Sequence, residues 1–147
     1  MTDQLPREAP IVPRSTPCAS CPYRVNVPSG IWDADEYAKL SRYDADVPDQ
    51  PTAVFLCHLD EGCACAGWLG HANPANLLAV RLGVLRHRLD PACLTYASDV
   101  SLFPSGEAAA EHGRRDITHP SSQAAAAIDK LERLRHLTST DHDPAIQ

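Results

Sequence analysis

Residues 55–68 read FLCHLDEGCACAGW, and residues 17–22 read PCASCP. Together they carry five of the six cysteines, namely Cys18, Cys21, Cys57, Cys63 and Cys65, while Cys93 stands alone. The two-residue spacer between Cys18 and Cys21 lets both thiolates face one ion, and Pro17 and Pro22 stiffen the turn that holds them. In the longer stretch an apolar run delivers Cys57 and His58, and the chain doubles back through Gly62 to Cys63 and Cys65. A thiolate centre joining the two stretches would pin a loop-rich region with few large apolar side chains of its own. The whole chain has only 2 Phe, 2 Trp and 4 Tyr. The expected ligands are Cys18 and Cys21 as one pair and Cys57 and Cys65 as the other, with Cys63, His58 and His71 as substitutes.

Two chemistries compete for that site. Zinc takes four sulfur or nitrogen ligands tetrahedrally and would act as a structural clamp, and it is the expected cofactor. A [4Fe-4S] cluster also takes four thiolates and tolerates more varied spacing, and a proline after a ligand cysteine, as in Cys21-Pro22, occurs in bacterial ferredoxins. A thioredoxin-like motif would need its C-x-x-C to follow a strand and open a helix. Here a proline-rich segment precedes the motif and a proline follows it, which argues against that chemistry.

The rest of the chain sets the context. Its 147 residues suit one domain, and 13 basic against 19 acidic side chains give a net charge of −6. The acidic balance lacks the electrostatic footprint of a nucleic-acid binder. Arg81, Arg86, Arg88, Arg114 and Arg115 are the residues that could still form a local basic patch. A protein is the expected partner. The start of the chain does not read as a secretory signal, and no apolar run is long enough to span a bilayer. A cytoplasmic location follows as the expectation, and in a reducing compartment clustered cysteines read as metal ligands or reactive thiols before disulfides. Residues 1–15 read as a flexible proline-rich tail, 16–137 as a single metal-binding domain and 138–147 as a polar tail.

Four helices have a mechanism. Asp33 caps the first, with Glu36 three residues on and Trp32 placed to staple onto Tyr37. A second starts at Asn73-Pro74 and aligns Leu78, Leu82, Leu85 and Leu89 on one face. A short third fits 105–112, closed by Gly113. The fourth follows Pro120, capped by Ser121 or Ser122, and buries Ala124, Ala127, Ile128, Leu131 and Leu134. Residues 50–58 are the best strand candidate. The expected fold is mainly α with one or two short strands, a small α+β domain in which a metal centre clamps the cysteine-rich loops against a helical platform.

Several strings stand in one order: PCASCPYR at 17–24, VPSGIW at 27–32, EYAKL at 36–40, FLCH at 55–58, CAGW at 65–68 and SLFPSGEAAAEHG at 101–113. In that order they resemble a family of small cysteine-rich proteins of unknown function from actinobacteria and their phages. The likeness spans about residues 17–131. It implies that Cys18, Cys21, Cys57 and Cys65 are the patterned four, with Cys63 and Cys93 outside the pattern. The Cys57–Cys63 spacing with a tryptophan just beyond also resembles the last ligand pair of the WhiB-like iron–sulfur regulators, although order and spacing elsewhere depart from that family. The functional expectation is a metal-binding module with a binding or regulatory role. An iron–sulfur redox or sensor protein, with transcriptional regulation as its candidate role, is the first alternative, and a thiol- or metal-dependent enzyme is the second.

Overall fold

The computed structural model describes residues 9–57, 59 and 62–142, with side chains described as far as Leu134. Mainly helical, it has one small sheet and belongs to the α+β class.

Helix α1 (Ala34–Arg42) begins where the sequence places it. The Asp33 carboxylate accepts the Glu36 N–H at 3.0 Å, a cap worth about 1 kcal/mol. Trp32 is tied to Tyr37 by a polar link, its backbone N–H donating to the Tyr37 hydroxyl at 3.0 Å. Helix α4 (Gly106–Arg114) packs on α1 through a face of small residues, Gly106, Ala109, Ala110 and Gly113, all buried. A Cβ on Gly106 would strike the Leu40 carbonyl oxygen, and one on Gly113 would strike the Tyr37 ring. Gly113, expected to end this helix, lies inside it and is needed for the close approach instead. Asp44, just beyond α1, fixes the start of α4 by accepting the Gly106 and Glu107 N–H groups at 3.0 and 2.6 Å. Two orphan donors of the first turn are thereby satisfied.

The cysteine-bearing stretch folds into a short hairpin. Cys65 N–H donates to Phe55 O at 2.8 Å and Cys57 N–H to Cys63 O at 3.0 Å, around an antiparallel bridge between Leu56 and Ala64. The expected strand over 50–58 contracts to that one bridge, because a 3-10 turn at Val47–Asp49 and Pro48 and Pro51 interrupt the run before it. On its other edge, β2 (Cys63–Ala64) pairs in parallel with β1 (Val12–Pro13). Ile11 also bridges Leu89. Residues 11–13, read from the sequence as part of a tail, are therefore tied to the domain by backbone hydrogen bonds. Helix α2 (Ala66–Gly70) leaves the hairpin directly.

The leucine-lined second helix divides in two. Pro74–Asn76 forms a 3-10 turn capped by the Asn73 side chain, Leu77 is extended, and α3 (Leu78–Leu85) starts afresh. The break rotates the buried face onto Leu77, Ala79, Val80 and Gly83, and Leu85 is left 74% exposed. His87, at φ 61°, then turns the chain so that Leu89 folds back against Gly83. Helix α5 (Ser122–His142) is capped by Ser121, whose Oγ accepts the Ala124 N–H at 3.1 Å. It buries Ala124 and Leu131, half-buries Ala127 and Ile128, and leaves Leu134 exposed.

The core is richer in large side chains than the sequence suggests. Tyr23, Trp32, Tyr37, Tyr43, Phe55 and Trp68 are all buried in the cysteine-bearing half. Phe55 stacks on Trp68 at 5.9 Å between centroids, Tyr43 meets both at 5.3 and 5.4 Å, and Lys39 Nζ lies 4.3 Å from the Phe55 centroid. The expectation of a thin core is corrected here: most of the few aromatic residues are concentrated in one cluster, which total composition does not reveal.

The α1–α4 contact makes a direct prediction. Gly113→Ala drives a methyl into the Tyr37 ring and should lower unfolding free energy by about 1–3 kcal/mol, while Glu111→Ala on the exposed face of the same helix should change it by less than about 0.5 kcal/mol. Urea denaturation of the two variants measures the contrast, and equal effects would contradict the packing.

Candidate metal centre

The C-x-x-C turn is built by its neighbours. Cys21 N–H donates to Cys18 O and Arg24 N–H to Cys21 O, both at 3.0 Å. Trp32 Nε1 donates to Ser20 O at 2.9 Å, and an Arg24 guanidinium N–H donates to Pro17 O at 2.6 Å. The turn is thus bolted to the segment leading into α1. Gly67 admits it to the hairpin side, since a Cβ there would collide with Cys21 Sγ and with Tyr23.

Four thiols meet at this junction. The Cys18 thiol is close enough to those of Cys21 and Cys57 for each to shift its ionisation, and the Cys21 thiol stands in the same relation to Cys18 and Cys65. Chain segments far apart in sequence therefore meet sulfur to sulfur, in the order Cys57, Cys18, Cys21, Cys65. Their exposures are 2%, 4%, 1% and 3%. All six cysteines are thiols, with no disulfide among them.

Several donors point at these sulfurs. The Trp68 N–H donates to Cys65 Sγ at 3.4 Å as that residue caps α2, and the Tyr23 backbone acts to lower the Cys21 thiol. The Ser20 hydroxyl lies 3.9 Å from Cys18 Sγ. Such donors stabilise a thiolate more than a neutral thiol. As protonated groups the thiols crowd one another. The Cys21 contact, with burial, raises the Cys18 thiol above its ordinary value, while the Cys57 contact opposes that. For Cys21 the Cys18 contact acts downward, but the Cys65 contact and burial together push it well upward.

The other expected residues separate clearly. Cys63 is half-buried in β2, opposite Cys57 across the hairpin. His58 lies outside the described residues. His71 is turned away from the sulfurs: its Nδ1 lies 2.6 Å from Trp68 O as donor, its Nε2 faces Asp44 Oδ1 at 3.9 Å, and its ring stacks on Tyr23 at 4.7 Å. Cys93 is fully buried, and burial raises its thiol to about 11. It acts as a core residue. Arg81, Arg86, Arg88, Arg114 and Arg115 are exposed. They divide between the region of α3, which packs on the 3-10 turns, and the end of α4, which packs on α1.

Some participants have no sequence signature. Tyr23 and Trp68 are fully buried beside the thiols, and their hydroxyl and Nε1 have no hydrogen-bond partner among the described residues. Burial, followed by the nearby Cys65, pushes the Tyr23 hydroxyl well above its usual range. Among the described residues no three His, Cys, Asp or Glu side chains form a group arranged to hold a metal ion. The sulfurs meet instead as a chain of pairwise contacts.

Comparison with known families is decisive at the level of membership, because one family's sequence pattern matches residues 13–135 and spans all four clustered cysteines. The chain belongs to DUF6283, a family of unknown function. No curated protein and no solved structure gives a significant match. The DUF6283 match begins inside β1 and ends within α5, so it covers the hairpin, the C-x-x-C turn and the α1–α4 pair together. Among the described residues, no helix is long and apolar enough to cross a membrane.

Burial depresses the His71 imidazole below its ordinary 6.5, with the Trp68 carbonyl and Asp44 opposing. The folded protein then resists a proton that the unfolded chain accepts. Its contribution to stability is complete above pH 6.5 and is lost as pH falls toward the lower folded value. Acid titration of unfolding free energy should show a shallower decline below pH 6.5 for His71→Gln than for the parent protein. An unchanged slope would contradict the buried neutral imidazole.

Proposed function

We propose that this protein is a metal-binding module in which Cys18, Cys21, Cys57 and Cys65 hold one structural zinc ion. The observation that carries the reading is the buried convergence of these four thiols, Cys18 with Cys57 and Cys21 with Cys65, from distant parts of the chain. The donor set supports it: four sulfurs are the composition of a closed structural zinc site. The Trp68 N–H donated to Cys65 sulfur, and the Tyr23 backbone beside Cys21, would favour the thiolate form that a metal requires. Loading would replace the mutual thiol contacts by bonds to the ion and release the thiol protons, so affinity should fall as pH is lowered.

Zinc would act here as a clamp. The aromatic cluster supplies a core of its own, so the ion's role would be to lock the C-x-x-C turn onto the hairpin. With every ligand residue at 4% exposure or less, a filled four-thiolate site offers no open position for substrate. That favours a binding or regulatory role over catalysis. The net charge of −6 favours a protein partner over nucleic acid. A free-thiol ligand set also fits a reducing, cytoplasmic setting.

An iron–sulfur cluster is the second reading, favoured by one observation. Tyr23 hydroxyl and Trp68 Nε1 are buried donors with no partner among the described residues, and cluster sulfide would supply acceptors that a zinc ion does not.

The test is metal analysis and absorption spectroscopy on the full chain purified anaerobically. A colourless protein with one zinc per chain is expected, and the Cys18→Ser/Cys57→Ser variant should lose it. A brown protein that bleaches in air would transfer the same four residues to the iron–sulfur reading and overturn the zinc one. Absence of metal from the parent, or equal metal in a folded double variant, would overturn both.

A further inference from the structure

The fifth thiol of the cluster region has a defined neighbour. In the hairpin, Leu56 and Ala64 form a non-hydrogen-bonded pair, so Cys57 and Cys63 stand directly opposite each other at the next position. Opposite residues in an antiparallel pair present their side chains on the same face. Phe55 and Cys65 share that face, two residues along on each strand. Directly opposed residues of a hydrogen-bonded pair have Cα atoms about 5.5 Å apart, inside the roughly 4.4–6.8 Å span that a disulfide bridges. Along the strand, Cys63 and Cys65 are separated by about 6.6 Å, at the outer edge of that span, so Cys57 is the better-placed partner.

The two thiols of this pair also differ in access. Cys57 is 2% exposed, whereas Cys63 is only half-buried, next to Val12, which is 45% exposed on the neighbouring strand. Cys63 is the sulfur that a small oxidant reaches first among the five cysteines of this region.

We propose that Cys63 and Cys57 form a peroxide-sensitive dithiol, oxidised to a cross-strand disulfide that withdraws Cys57 from its contact with Cys18. In the first step Cys63 sulfur attacks one oxygen of hydrogen peroxide. An S–O bond forms, the O–O bond breaks, and the departing hydroxide leaves as water with the thiol proton. In the second step Cys57 sulfur attacks the Cys63 sulfenic acid. The S–S bond forms, the S–O bond breaks, and hydroxide leaves as a second water with the Cys57 proton. Two thiols and one peroxide give one disulfide and two waters.

The oxidation itself stands apart from the metal reading. Its consequence, loss of one of four metal ligands, rests on that reading. A centre held by four thiolates would then be opened by oxidation at a fifth, which gives the half-buried cysteine beside the site a regulatory function.

The test treats the reduced full chain with hydrogen peroxide and follows it by intact mass. The expected product is lighter by two hydrogens and returns to the parent mass with dithiothreitol. Cleavage at Glu61 separates Cys57 from Cys63 in the chain, so the two fragments should stay joined until reduced. Fragmentation of the joined peptide should place the bond at Cys63. Cys63→Ser, with circular dichroism confirming its fold, should oxidise roughly tenfold more slowly and lack this link, while Cys93→Ser should behave as the parent. A first disulfide between Cys18 and Cys21, a bond at Cys65, or an unchanged rate in Cys63→Ser would overturn the proposal. If the chain carries metal, its release should keep pace with the disulfide. A chain that carries no metal yet forms the Cys57–Cys63 bond would support the dithiol and overturn the metal reading separately.

Discussion

Two backbone hydrogen bonds, Cys65 N–H to Phe55 O and Cys57 N–H to Cys63 O, organise this molecule. They set the register of a hairpin only a few residues long, and register decides which side chains share a face. With that register, Phe55 enters the aromatic cluster while Cys57 and Cys65 meet Cys18 and Cys21. A slip of one residue would turn Phe55 and Cys57 to the opposite face, breaking the aromatic cluster and the thiol junction together. Helix α2 inherits its direction from the same hairpin, since Cys65 ends it and caps the helix.

From this junction the rest of the fold is reached through short polar links. Trp68 N–H donates to Cys65 sulfur, Trp68 O accepts from His71, and His71 faces the Asp44 carboxylate that starts α4. On the other side, Trp32 ties the C-x-x-C turn to α1 through Ser20 O. Because α1 and α4 are packed through Gly106 and Gly113, a displacement of the thiol junction would be transmitted to a helix pair with little room to adjust.

Legibility in the sequence followed the range of the interactions. Caps are local, and Asp33, Asn73, Ser105 and Ser121 each accept an N–H within three residues. Spacing singled out Cys18 and Cys21 as a pair but left Cys63, His58 and His71 open beside Cys57 and Cys65, and only the order of motifs shared with a family of unknown function favoured those two. What spacing could not supply was tertiary. The Leu77 break, which reorients α3 and leaves Leu85 exposed, depends on packing of the following chain against Gly83. The role of Gly113 depends on the Tyr37 ring, and that of His71 on Asp44. A count of aromatic residues likewise says nothing about their being gathered in one place, so the apparent shortage of core was misleading.

The metal centre proposed for this junction would take four cysteine sulfurs and no histidine nitrogen. X-ray absorption at the zinc edge of the purified full chain measures this most directly. A single shell of four sulfurs at about 2.3 Å is expected. A shell containing nitrogen or oxygen at about 2.0–2.1 Å would contradict it.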